Sequence, residues 1–371
     1  MKYFETLYES RRKFIIVLAL WMIYFLDSGI AKAYYGVILQ DLIEQFEADT
    51  GTMGAILSLT QFFGFILGFV CVGDTIAMGL ISSYFIEYHA ATSVITTGLP
   101  LAIMSFAPMT QIFIDTYGWR GAMLLLGGLN IHFVAAAALL KPTEHIQTYS
   151  NDATYESLEK SNKAGEDNTN RFTACFKDII NISLLKNSSF IIVLFVAGIA
   201  SYSFNGWVVY LISFARSKGL SPADAAIVAT TSGVGSFVIR PLMALLQGQI
   251  SPRQLLYVGS ALVALSYAGF YFATTFLTVC SVSFVLGAGL SIVGTEVYVA
   301  AYDIIREDDA VSAVAWIHLF FGIGYIISGY VTGWLYDQSK NFDLSWIELS
   351  AVSSLPIVAL GAEDLWNLSR R

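Results

Sequence analysis

Residues 219–247 read GLSPADAAIVATTSGVGSFVIRPLMALLQ, and from Ala225 onward the run is apolar except for one arginine, Arg240, well inside it. An arginine at bilayer depth costs roughly 2.5–3.5 kcal/mol on insertion scales, and that cost is usually met by facing a bundle interior or a water-filled cavity. Pro241 follows directly. A proline frees backbone groups of a helix, and such breaks are tolerated where a cavity is lined. The pair points to a cavity, and a positive charge there suits an anion. The plainer alternative is an arginine that snorkels to the nearer face or pairs with a backbone carbonyl.

The rest of the chain is built in the same way. Of its 371 residues 56% are hydrophobic and 13% charged, where a soluble domain carries about 25% charged residues. The mean hydropathy is +0.64. The apolar runs are long and uninterrupted, which predicts an integral membrane protein of helices and not a barrel. Cys71, Cys175 and Cys280 have no paired spacing, so neither a disulfide framework nor a metal site is expected. No nucleophile–base pair, metal-ligand set or nucleotide-binding motif stands out, so neither an enzyme nor a cofactor is expected. Nothing points to nucleic acid. The first apolar run is too long for a signal peptide and has no small-residue cleavage site after it.

In chain order, Arg11, Arg12 and Lys13 flank a first span over 14–35 that contains Asp27 and Lys32. The stretch 37–50 carries Asp41, Glu44, Glu47 and Asp49 without a basic residue. It reads as an acidic outer loop, with the N-terminus in the cytoplasm. The stretch 52–85 is apolar except for Asp74; it is too long for one ordinary span and too short for two spans and a turn. Spans follow at 91–113 and 121–140. A polar linker, 141–187, then divides the chain into an N-terminal part (1–140) and a C-terminal part (188–371). The latter holds runs at 190–215, 223–246, 255–275, 276–301, 311–335 and 346–362. Counting 52–85 as one span gives four spans before the linker and six after it. Arg253, Arg306, Arg370, Arg371, the N-terminal cluster and the six basic residues of the linker then face the cytoplasm, while Arg216, Lys218 and Lys340 lie outside. That asymmetry places both termini in the cytoplasm. Two helical parts about a long cytoplasmic linker match the plan of the major facilitator superfamily, whose site lies between the halves near the midplane.

Three segments resemble the monocarboxylate transporter family of that superfamily. They are Asp115-Thr-Tyr-Gly-Trp-Arg-Gly-Ala-Met-Leu-Leu-Leu-Gly-Gly128 with Leu140-Lys-Pro142, the stretch 210–226 containing FARSKGLSPADAA, and Gly329-Tyr-Val-Thr-Gly-Trp-Leu-Tyr-Asp337. The resemblance runs from about residue 26 to 346. It implies a lysine in the first helix, matched by Lys32, and an arginine in the eighth, matched by Arg240. Ser236 stands where the family's proton-coupled members have an aspartate, and a hydroxyl cannot carry that proton. The acidic-Gly-Trp motif before the first helix is absent, as is the basic cluster after the fourth, where Ile86-Glu-Tyr-His89 stands. Residues 52–68 resemble most of the family's second helix and 69–85 the end of its fourth. About two spans are therefore missing, and ten are expected instead of twelve. The resemblance also implies a plasma-membrane location and, for some members, a single-span accessory glycoprotein as partner.

The polar residues inside the apolar runs divide by role. Arg240 and Lys32 are candidates for binding a carboxylate, with Thr295 and Tyr298 lining the same cavity. Lys32 also lies near the outer end of its run, where it can snorkel. Glu296, inside 276–301, is a candidate proton acceptor or partner of Arg240; Lys32 shares the coupling role. Asp303 and Arg306 read as a cytoplasmic gate or a helix cap. His132 and His318 read as packing residues, and Asp74 as an end-of-helix residue. Gly64-x-x-x-Gly68 and Gly329-x-x-x-Gly333 permit close packing within one molecule. Three glycosylation sequons, at Asn181, Asn187 and Asn367, fall on the cytoplasmic side and are expected to be unused. The expected protein is a helical carrier of a small organic anion in the lipid bilayer, using protons where coupling survives Ser236. Two other readings stay open. One is a proton-independent carrier of a neutral or zwitterionic solute; the other is a truncated or regulatory membrane protein that moves nothing.

Overall fold

The computed structural model describes residues 14–23, 25–26, 29–70, 94–138, 181–246, 249–305 and 309–369, and among these the regular elements are all helical. Before the linker lie α1 (Phe14–Ile23), α2 (Gly29–Phe46), α3 (Thr50–Val70), α4 (Gly98–Asn130) and the short α5 (His132–Ala138). After a 3₁₀ turn (Ile182–Lys186) come α6 (Ser188–Ser217), α7 (Pro222–Leu246), α8 (Pro252–Phe272), α9 (Phe276–Tyr302), α10 (Ala310–Ser339) and α11 (Asp343–Ser369).

Among the described residues seven helical stretches are long and apolar enough to cross a membrane. One of them, Val94–Ala136, has 43 residues, roughly 65 Å at the helical rise and about twice the hydrocarbon thickness. It is broken at Gly118, whose φ of 68° and ψ of 171° are not helical and favour a residue without a β-carbon. Ala102 and Phe106 before the break share a buried cluster with Leu26 and with Leu126 after it. The stretch thus supplies two crossings, as the runs 91–113 and 121–140 predict. With α1–α2 and α3 as one crossing each and α6–α11 as six, the all-helical bundle is roughly consistent with the ten-span expectation.

Two expectations need correction. The acidic stretch 37–50 is helix as far as Phe46, not loop. Tyr35, Ile38, Leu39 and Leu42 are buried there while Glu44 is exposed. This is the amphipathic spacing of a helix whose charges sit on its outer face. Lys32 is therefore in the first turn of α2, with most of the helix still to follow, and not near the outer end of its run. Asp27, Asp74 and the 71–93 part of the composite stretch lie outside the described residues, as does the linker up to residue 180.

Helix ends are set by local chemistry. Gly219, at φ 85°, closes α6: its N–H reaches Arg216 O at 2.9 Å and the Leu220 N–H reaches Ala215 O at 3.3 Å, the two bonds of a Schellman cap. Ser221 then starts α7 by accepting from the Asp224 N–H at 3.1 Å. Capping boxes start α8 at Ser251 and α9 at Thr275. Asp49 accepts from the Thr52 N–H at 2.7 Å ahead of α3, and this backbone bond holds its carboxyl below the usual carboxylate range.

The helices pack in a ring of pairs: α3 along α10, α4 along α7, α2 along α4 and α6, α7 and α8 along α9, and α11 along α8. Small residues allow the closest approaches. At α7–α9, Gly235 faces the backbone of Phe284 and Gly287 faces that of Ser232. At α3–α10, Gly51 and Gly54 face Gly333 and Gly329. The glycines of 329–333 thus pack within the molecule, as expected. Gly64, by contrast, has open space where its β-carbon would stand, so close packing on α3 falls to Gly51 and Gly54.

Candidate functional site

The ring of pairs leaves a cavity of about 860 Å³, its open mouth included. Each wall is one face of a helix. From α10 come His318, Phe321 and Tyr325; from α9 come Leu290, Ser291, Gly294, Thr295 and Tyr298; from α6 come Ala200, Ser201 and Phe204. Ser236 and Arg240 of α7, one turn apart, Phe65 of α3, Thr96 just ahead of α4, and Leu99, Pro100 and Ile103 of α4 complete the lining. These are the i, i+3, i+4 and i+7 spacings of helix faces. Parts of the chain before and after the linker both contribute.

Arg240 is 6% exposed and lines the cavity, the placement that its cost at bilayer depth demands. Pro241 does not break α7, which continues to Leu246; it withholds an N–H from the carbonyl four residues back, that of Phe237. Thr295 and Tyr298 line the same cavity, as the sequence predicts. Lys32 stands in α2, and its side chain lies outside the described part.

Glu296 stands apart from the lining. It is 1% exposed, but its carboxylate oxygens have no hydrogen-bond partner and it is not among the residues of the lining. One residue on from Thr295, it is turned about 100° around α9, so it does not serve as the partner of Arg240 here. Asp303 is the exposed C-cap residue of α9, its N–H bonded to Val299 O at 3.1 Å. Arg306 lies outside the described residues. Arg120 is exposed and stacks over the Trp119 ring at 4.4 Å.

The histidines part company. His132 is exposed on α5, with Nδ1 3.0 Å from Leu129 O, and is no packing residue. His318 is buried and hydrogen-bonded through Nε2 to the Tyr298 hydroxyl at 2.9 Å, yet it faces the cavity. Sequence reading missed that role, as it missed the aromatic wall of Phe65, Phe204, Phe321 and Tyr325. The available signal was spacing, since positions 318, 321 and 325 share one helix face.

Ser236 is also accounted for. Its hydroxyl donates to Gly287 O at 2.7 Å, and the Ser291 hydroxyl donates to Ser236 O at 3.4 Å. One turn before Arg240, the position thus carries an interhelical hydrogen bond where an acidic side chain would have carried charge.

A family model described as the Major Facilitator Superfamily matches residues 50–328, well over half of the chain. Monocarboxylate transporter 2 of Mesocricetus auratus is 24% identical over 306 residues, covering 79% of this chain and 62% of that protein. Monocarboxylate transporter 12 of Mus musculus is 24% identical over 296 residues, covering 76% and 60%. Monocarboxylate transporter 1 of Homo sapiens is 26% identical over 227 residues, covering 53% and 45%. The chain thus spans less than two thirds of the length of these relatives. With a helical bundle, a cavity lined from both sides of the linker and this match, the chain belongs to the major facilitator superfamily, among the relatives of the monocarboxylate transporters.

Proposed function

We propose that the chain is a carrier that moves a small organic monocarboxylate across the plasma membrane by alternating access. The observation that carries this reading is Arg240, buried on the wall of an otherwise largely apolar cavity between the two parts of the chain. A guanidinium there can take a carboxylate through two parallel hydrogen bonds, with Lys32 as a second positive charge. Residues 1–140 and 188–371 are the bodies that rock about the cavity, 141–187 joins them in the cytoplasm, and both termini lie on that side. No covalent step is involved. A single-span accessory glycoprotein belongs to the same reading.

Proton coupling is the finer question. Ser236 spends its hydroxyl on Gly287 O, which favours a second reading, facilitated diffusion without a proton. Uptake of labelled lactate and pyruvate by cells making the chain, at acidic and alkaline external pH, separates the two. The carrier reading expects uptake that falls about tenfold or more in Arg240→Ala, the cost of one charged hydrogen-bonding group. Acid stimulation would establish proton coupling; equal uptake at both pH values would establish facilitated diffusion. Surface protein with no Arg240-dependent uptake of either acid or of larger monocarboxylates sinks the carrier reading.

A further inference from the structure

The cavity has a second character that its arginine does not explain. Phe65 centres an arc of rings, with centroids 5.3 Å from Tyr325, 5.8 Å from Phe321 and 5.5 Å from His318. Tyr298 extends it, 5.9 Å from Phe321, and Phe204 closes the other end, 6.3 Å from Tyr325. These are tilted or edge-on contacts, and edge-on pairs are among the arrangements in which aromatic groups attract. The arc draws on α3, α6, α9 and α10, so four helices converge to build it. All six rings face the cavity. Nothing in binding a two- or three-carbon acid requires such a wall. A three-carbon acid leaves most of this wall against water, an unfavourable arrangement for apolar surface.

We infer that the preferred substrate is a monocarboxylate bearing an aromatic group, its carboxylate on Arg240 and its ring against the Phe65–Phe321–Tyr325 arc. This rests on the carrier reading above and narrows it. The rings of the arc supply apolar aromatic surface against which a bound ring can pack.

The test is binding to the purified full chain in lipid nanodiscs, by titration calorimetry, which needs no transport. Four probes are compared: phenylpyruvate, pyruvate, L-lactate and 2-phenylethanol. Phenylpyruvate is expected to bind about tenfold or more tightly than pyruvate, the gain from burying a phenyl group. In Phe321→Ala phenylpyruvate affinity falls about tenfold further than pyruvate affinity does, since the mutation removes ring surface. Phe321→Leu, which keeps the bulk, retains part of the preference and separates loss of packing from loss of fold. Equal affinity for phenylpyruvate and pyruvate would overturn the inference and leave the carrier reading standing. Binding of 2-phenylethanol as tight as that of phenylpyruvate, unchanged in Arg240→Ala, would overturn the carboxylate reading instead. No binding of any acid overturns both.

Discussion

At the scale of single residues, Ser236 carries the most information. The position one turn before Arg240 decides whether a carboxylate shares the cavity, and here it holds a hydroxyl bonded to Gly287 O at 2.7 Å. Its contribution is structural: interhelical hydrogen bonds of this kind are worth about 0.6 kcal/mol on average within membranes. Ser236→Ala is therefore expected to lower the thermal midpoint of the detergent-purified protein slightly and to leave the pH profile of uptake unchanged. A pH profile that flattens in this variant would mean the hydroxyl belongs to a proton path. Arg240 was legible in the sequence because a charge in an apolar run is conspicuous in one dimension. His318 and the aromatic wall were not, because which face of α10 lines a cavity depends on where α3 and α9 stand. Glu296 shows the limit from the other side: the same one-dimensional signal marked it, and one further residue of helix turned it off the lining.

At the scale of elements, the helices were legible wherever an apolar run ended in turn chemistry, as at Gly219–Ser221 between α6 and α7. The extension of α2 to Phe46 was hidden because its acidic residues read as loop until the burial of Ile38, Leu39 and Leu42 revealed a second face. Helix contacts depend on a property that sequence carries only faintly, the match of small residues on two different runs. A β-carbon on Gly235 would stand 2.0 Å from Phe284 O, and one on Gly287 would stand 1.9 Å from Ser232 O. These are backbone atoms, so the helices themselves must separate. Gly235→Ala and Gly287→Ala are expected to cost at least about 1–3 kcal/mol by overpacking and to reduce surface delivery. Gly64→Ala meets nothing within 4 Å and is expected to be neutral or stabilising, by up to about 1 kcal/mol of helix propensity. Fluorescence-detected size exclusion of tagged variants reads both. If all three behave alike, the α7–α9 seam is not the close contact described here.

At the scale of the whole molecule, the two ends of the bundle are held differently. At one end Arg253 of α8 bonds Glu363 at 2.8 Å and Asp364 at 2.9 Å on α11, and the Ser189 hydroxyl at the start of α6 donates to Glu363. All of these groups follow the linker, so this cluster binds one part of the chain to itself. At the other end the contacts cross between the parts. The Asp337 carboxylate at the end of α10 accepts from the Thr50 N–H at 3.2 Å and the Gly51 N–H at 2.8 Å, at the start of α3. Below it Asn205 Nδ2 donates to Ser58 Oγ at 2.8 Å. Alternating access requires such a cross-contact to part. Asp337 is suited to the task, since a carboxylate at a helix N-terminus is held by exposed N–H groups and the helix dipole without any partner side chain. Removing it should favour the open form by about 1.5–3 kcal/mol, the worth of a charged hydrogen bond, or roughly 10- to 100-fold in population. The reporter is Met53→Cys, a position 4% exposed beneath this contact, in a background with Cys71, Cys175 and Cys280 replaced by serine. Adding Asp337→Ala should speed its labelling by a membrane-impermeant maleimide, with Asp337→Asn intermediate because the amide oxygen still accepts. An unchanged labelling rate in both would mean that the glycine seam between α3 and α10 alone keeps this end closed.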